Sequence, residues 1–314
     1  MSANKCNLLS GENSGDLTVL SPTLILALPE ESKQRGLPRS MGRQTSSIVE
    51  DLRLVEPDQL RRMVRAGAYR GATSGLARGK LQANVVIVPQ RFAADFHKFC
   101  LANSKACPLV GLGRAGSPFV PALGNIDIRT DAPQYSVFCY GEFVHHTNHI
   151  ADLWREDFSA FALGSSLSFE PTLVEKGVQL RHGGISGPIP KYRTGIRSRA
   201  VGPFGGNLVV AMRAIRRCDI DRVRAITTRF PNAHGSPFHV GDPSILGITD
   251  LDSPDWGDPI DLRGDEVPVF WASSVTAQEA LMHAELAIAI TASPGHLLIT
   301  DVDAVARQDT ARVA

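Results

Sequence analysis

Ala83-Asn84-Val85-Val86-Ile87-Val88 is a short apolar run rich in β-branched residues, and Pro89 ends it. Arg91 to Ala102 follows with Phe92, Phe96, Phe99 and Cys100 on one helical face. The first pattern predicts a buried strand and the second an amphipathic helix. Together they form the strand-to-helix unit of α/β chains.

The same alternation recurs downstream. Asn207 to Ile215 reads as a strand and Asp219 to Arg229 as a helix. Val267 to Ala272 reads as a strand, and the capping box Thr276-Ala277-Gln278-Glu279 predicts a helix start after it. Leu286 to Thr291 and Leu297 to Thr300 read as strands joined by Ser293-Pro294-Gly295-His296. Helices are also predicted over Asp58 to Ala66, Asp152 to Leu163 and Phe169 to Lys176. Gln134 to Cys139 and Glu142 to His146, around Tyr140-Gly141, read as a β-hairpin. The expected fold class is α/β: a mixed, largely parallel sheet flanked by helices, with a small β-rich α+β insertion subdomain over about 106–152. Residues 1–52 are expected to be a flexible N-terminal extension, 53–305 the α/β domain and 306–314 a disordered tail.

Composition narrows the function. A formal net charge of +1 argues against a nucleic-acid partner, which would need a basic surface. No run is long and apolar enough to span a bilayer, so no membrane partner is expected. The five cysteines match no zinc spacing and read as reduced thiols of a cytoplasmic protein. Neither a cofactor nor a resident metal is implied, and a homodimer is left open.

The densest set of ionisable groups lies in Arg229-Phe230-Pro231-Asn232-Ala233-His234-Gly235-Ser236-Pro237-Phe238-His239-Val240-Gly241-Asp242-Pro243. His234, His239 and Asp242 could move protons or hold a metal there. The plainer alternative is histidines bonded to backbone carbonyls and an Asp242 that caps the turn before Pro243. Arg229 either clamps a carboxylate or complements a helix dipole. Lys191-Tyr192-Arg193-Thr194-Gly195 reads as a basic, hydroxyl-bearing loop that is either an anion site or solvated. Ser165-Ser166 and Ser168 precede Glu170-Pro171, where Ser168 either caps a helix or belongs to a carboxylate site. Ser273-Ser274 follow a predicted strand, the place where open α/β sheets bind ligands. His296 sits in a turn, either exposed or lining a pocket. No GxSxG elbow surrounds any serine.

Several motifs together resemble the D-glutamate cyclase family, whose bacterial members are often called hydro-lyases. They are Gly71-Ala72-Thr73-Ser74-Gly75-Leu76-Ala77, Leu81-Gln82-Ala83-Asn84, Asp127-Ile128-Arg129-Thr130-Asp131, Ser168-Phe169-Glu170, Tyr192-Arg193-Thr194, Arg229 to Pro243, Phe270-Trp271-Ala272 and Pro294-Gly295-His296. The resemblance covers about Pro57 to Asp301. It implies condensation of D-glutamate, or a related amino dicarboxylate, to 5-oxo-D-proline with loss of water, and hence a small-molecule carboxylate or amino-acid partner. The family usually carries Cys where this chain has Ser165, Ser198 and Ser273, and Asn where Gly195 stands. The resemblance also leaves room for a non-catalytic binding paralogue, or for a hydro-lyase or lactam hydrolase of a different carboxylic acid.

Lactam formation needs a base for the ammonium, an acid for the departing oxygen and a hold on both carboxylates. The expected catalytic residues are His234, His239, Asp242 and His296. The expected substrate-binding residues are Arg229, Arg193, Thr194, Ser165 and Ser273, the hydroxyls among them donating to a developing oxyanion.

Overall fold

Strand β1, Lys80–Pro89, is buried from Leu81 to its end and forms the centre of the larger of two sheets. The structure is a computed structural model that describes residues 52–181 and 188–305. The expected tail, and the expected N-terminal extension apart from Leu52, lie outside these residues.

β1 pairs on one side with β5, Phe158–Gly164, which also pairs with the short edge strand β2, Leu109–Leu112. On its other side β1 meets β10, Ala289–Ala292, and β11, Leu298–Asp303. β3, Tyr135–Cys139, continues the sheet from β10, and β4, Glu142–Thr147, closes it. The smaller sheet has the order β6-β7-β9-β8, with β6 Lys191–Arg197, β7 Asn207–Arg216, β8 His239–Val240 and β9 Glu266–Ala272.

Every strand pairing within the two sheets is antiparallel, which corrects the largely parallel sheet expected from the sequence. A continuous apolar run reports burial of both faces of a strand and is silent on the direction of its neighbours. The strand-to-helix units are real, but none returns to a parallel neighbour. The Ala93–Ala102 helix leads from β1 to the edge strand β2, and the Val275–Ala284 helix leads from β9 into the other sheet at β10. Residues 106–152 are likewise no separate layer, since β2, β3 and β4 all belong to the seven-stranded sheet. The helix expected over Asp152 to Leu163 is β5, fully buried, preceded only by a short turn at Ala151–Leu153. The basic Lys191 segment is a strand and not a loop, because β7 supplies its ladder.

The core joins the two sheets. Phe96 packs edge-on against Phe161 at 4.9 Å and Phe204 at 5.1 Å between ring centroids. Ala277, Ala280 and Leu281 of the Val275–Ala284 helix complete this cluster with Val86 and Val88. The same helix is tied to the smaller sheet, where Val209 N–H donates to Thr276 Oγ1 at 3.0 Å. Thr276 is therefore not the cap that the sequence pattern predicts. Instead Ser273 Oγ accepts from Val275 N–H at 3.3 Å. Among the described residues no helix is long and apolar enough to cross a membrane. Cys100 and Cys107 are buried free thiols, and Cys218 is exposed.

Candidate functional site

β10 and β11 run in the same direction along one edge of β1, end to end. Val86 faces Thr291 and Ile87 faces Ile290, while Gln82 faces Ile299 and Ala83 faces Leu298. Between these pairs the chain leaves the ladder after Ala292 and returns at Leu298, opposite Ala83. A hydrogen-bonded strand is thus interrupted at one point, and the gap admits side chains where a ladder would otherwise stand. Pro294 and Gly295, the latter at φ +87°, shape the excursion. Thr73 holds it: its N–H donates to the Gly295 carbonyl at 2.8 Å, and its Oγ1 accepts from Leu297 N–H at 3.0 Å. Side chains alternate along β1, so Asn84 lies on the face of Val86 and hence of Thr291. Asn84 Oδ1 and Thr291 Oγ1 are buried with no hydrogen-bond partner among the described residues. Groups so placed are rare, because each forfeits its hydration.

A serine turn borders the gap. Ser165 N–H donates to the Gln82 carbonyl at 3.0 Å, and Ser168 Oγ accepts from Gln82 N–H at 2.9 Å. Beneath the turn lies Arg213, with none of its surface exposed. Glu170 Oε1 accepts from its Nε at 2.9 Å and its Nη2 at 2.7 Å, and Ser166 Oγ accepts from Nη2 at 2.8 Å. The guanidinium lies over the rings of Phe169 at 5.0 Å and Trp271 at 5.1 Å. Its Nη1 is buried without a partner among the described residues. Lys191, opposite Ala211, points to the same face of the smaller sheet as Arg213. Burial first, and the Arg213 charge second, push its ammonium down to about 8 against the pull of Glu170. Two cations thus share one buried acid, an arrangement that favours an anionic guest.

These elements carry five of the eight motifs quoted above, joined through Thr73, Ser74, Gln82, Glu170, Trp271 and Gly295. The D-glutamate cyclase family model matches residues 159–301, which include the serine turn, Arg213 and the strand break. A protein of Burkholderia cenocepacia named "Putative hydro-lyase" is 49% identical over 247 residues, spanning 78% of this chain and 96% of that one. A namesake from Cupriavidus taiwanensis is 47% identical over 249 residues, spanning 79% and 93% respectively. This chain belongs to the D-glutamate cyclase family. A solved structure, a nitrogen repressor-like protein from Methanococcus jannaschii, superposes with a TM-score of 0.35 at 10% identity over 77% of this chain and 96% of that one, too loosely to carry an argument.

Within this member of the cyclase family, the residues expected from sequence divide. Ser165 and His296 lie at the strand break. Ser165 is buried and accepts from Leu167 N–H at 3.4 Å. His296 is half-buried and its Nδ1–H donates to the Pro294 carbonyl at 3.3 Å, which leaves Nε2 as the basic nitrogen. Burial, with a smaller contribution from His146, lowers its pKa, while the Pro294 carbonyl opposes them. Ser273 starts the Val275–Ala284 helix at the end of β9, two residues beyond Trp271.

His234 also reaches the Arg213 side. Gly164 permits this, since a Cβ there would sit 1.6 Å from the Asn232 carbonyl oxygen. His234 is 3% exposed and donates from Nδ1 to the Lys105 carbonyl at 2.9 Å. Burial, opposed by that carbonyl and reinforced by Arg213, pushes its pKa down to about 4. His239 is on the opposite face of the smaller sheet. It faces Phe270 in the ladder and stacks on that ring at 6.0 Å, whereas Val269 and Trp271 share Arg213's face. Its Nε2–H donates to the Asp242 carbonyl at 2.8 Å. Asp242 is exposed and caps a turn through Ser244 N–H at 2.9 Å. The plainer alternative thus describes both residues, and the loop does not bring its two histidines to one site. Arg229 is exposed. Arg193 is bound by Asp255 at 2.5 Å and Glu279 at 2.8 Å, and Thr194 Oγ1 donates to the Leu208 carbonyl at 2.8 Å. Among the described residues, no group of three or more His, Cys, Asp or Glu could hold a metal ion.

Arg213, Glu170, Asn84 and Thr291 carry no role in the sequence reading, whereas Lys191 belongs to the segment read there as an anion site. A signal for two of them exists: Arg213 is the one charge inside the run Leu208 to Ile215, and Asn84 the one amide inside Leu81 to Val88 other than Gln82.

The His234 environment predicts a pH effect. Its folded pKa of about 4 lies below the usual 6.5, so the unfolded state binds more protons between these values. The resulting stability is complete above pH 6.5 and is lost as pH falls toward 4. Urea unfolding at pH 7 and pH 5 is expected to show a loss to which His234 contributes up to about 2 kcal/mol, with a weaker pH dependence in His234→Gln. An identical pH dependence in the two proteins would refute this.

Proposed function

We propose that this chain is a hydro-lyase that closes an amino dicarboxylate, with D-glutamate the first candidate, to the five-membered lactam 5-oxo-proline and water. The observation that carries the reading is the buried Arg213, with a spare Nη1, beside Lys191 and a single acid. A dicarboxylate supplies the negative charge this cluster lacks. Arg213 and Lys191 hold one carboxylate. His296 Nε2 takes the proton of the substrate ammonium, and the freed amine attacks the distal carboxyl carbon. One C–N bond forms and one C–O bond breaks; the nitrogen gives up a second proton as the amide forms, and the departing carboxylate oxygen accepts two and leaves as water. Lys191, near a pKa of about 8, can supply one of these. In this reading the hydroxyls of Ser165 and Thr291 and the amide of Asn84 donate to the oxygen on which charge develops. Family cysteines replaced here by Ser165 and Ser273 do not argue against turnover, because the serine hydroxyls fill backbone-capping roles.

The test is incubation of the protein with D-glutamate, L-glutamate and homologous amino dicarboxylates, followed by mass detection of water loss. Lactam from at least one of them is expected, and loss of that product in Arg213→Met with retained fold. Saturable binding with no product from any would favour a binding paralogue.

A further inference from the structure

His146 is absent from the roles above, yet it sits against the strand break. It lies on β4, directly opposite Ser136 of β3, which in turn faces Thr291 of β10. Its Nδ1 is 3.1 Å from Ser136 Oγ and 3.1 Å from Ser293 Oγ, and the two hydroxyls are 2.9 Å apart. Both serines are buried. One hydroxyl can bond the imidazole nitrogen while the other bonds that hydroxyl, which ties the ring to both serines. Phe143 packs against the imidazole ring with centroids 4.7 Å apart and holds its plane. Ser293 is also the first residue of the excursion that carries His296. Its carbonyl accepts from His296 N–H at 2.9 Å, and its own N–H donates to the Gln134 carbonyl at 2.9 Å.

We propose that His146, clamped by Ser136 and Ser293, is a positioning residue that sets the orientation and the protonation of His296. The proposal rests on the role given to His296 in the proposed function. The connection runs from the hairpin edge, through the two hydroxyls, into the turn. β3 presents a hydroxyl to His146, the start of the β10–β11 excursion presents another, and β4 itself presents the Phe143 ring. His296 senses it, since His146 disfavours charge on the His296 imidazole. Ser293 links His146 to the turn that carries His296, so His146 acts through the turn and not by contact.

The test uses the full chain and two variants. H146N retains a polar atom near the position of Nδ1 but cannot become charged, and H146A removes both. Imidazole NMR titration is expected to place the His296 midpoint higher in both variants than in the wild type, because His146, which opposes charge on His296, is gone. Turnover is expected to fall about 100-fold in H146A, the cost of a misplaced reacting group, and to recover most of the way in H146N. A His296 midpoint unmoved in both variants would overturn the proposal. The titration needs no substrate. Failure of the wild type to convert any amino dicarboxylate would strike the proposed function, while a shifted midpoint would still support the His146–His296 link.

Discussion

Glu170→Gln is expected to lower the unfolding midpoint by about 10 °C, a loss of roughly 3–5 kcal/mol. Arg213 has no exposed surface, and Glu170 supplies two of the three side-chain hydrogen bonds its guanidinium makes. A glutamine keeps the shape but removes the charge, so Arg213 stays buried with its positive charge uncompensated and Lys191 close by. The destabilisation comes from stranding one ion and does not measure the net worth of the pair. The double variant Arg213→Met with Glu170→Leu separates the two ideas. Replacing both ions by apolar groups of similar volume is expected to restore much of the stability, since neither charge then needs solvation. It is also expected to abolish turnover, because the anion-holding group is gone. Calorimetry on the three proteins checks this. If Glu170→Gln unfolds within about 1 kcal/mol of the wild type, the pair is not the buried charge cluster described above.

His296→Gln is expected to reduce turnover by about 10²- to 10⁴-fold with an unchanged fold, and His239→Gln to leave it near wild type. From sequence, His239 is the stronger candidate, because it shares a loop with His234 and Asp242. In the fold its ring stacks on Phe270 on the far face of the smaller sheet, while His296 stands in the turn between β10 and β11 with Nδ1 bonded to the Pro294 carbonyl and Nε2 left to accept a proton. Steady-state rates of the two variants on whichever amino dicarboxylate the wild type converts distinguish the candidates. Equal, small effects from both would remove His296 from the chemistry. A large effect from His239→Gln alone would return the reaction to the Arg229–Pro243 loop.

Much of the fold was legible in particular residues. The β-branched run at β1 and the apolar runs at β7 and β9 read as strands, since such runs have few other uses. The Tyr140-Gly141 hairpin was visible through turn chemistry, and Tyr140 at φ +51° and Gly141 at φ +80° show why a small residue follows there. β5 was misread because Phe158 to Gly164 is short, wholly buried and apolar apart from Ser159, and periodicity cannot separate a buried strand from a buried helix turn.

The sequence by itself determined where the buried segments lie, which motifs the chain shares with the D-glutamate cyclase family, and that Ser165, His234 and His296 are unusual enough to name. Only the tertiary structure decided the direction of the strands, the separation of His234 from His239, and the meeting of Asn84 with the Ser293–Leu297 excursion. The reason is physical. Burial and turn propensity are local properties written into a few consecutive residues. Register and facing depend on partners as distant as Val86 and Thr291 or Glu170 and Arg213, and a single step along a strand turns a side chain from one face to the other.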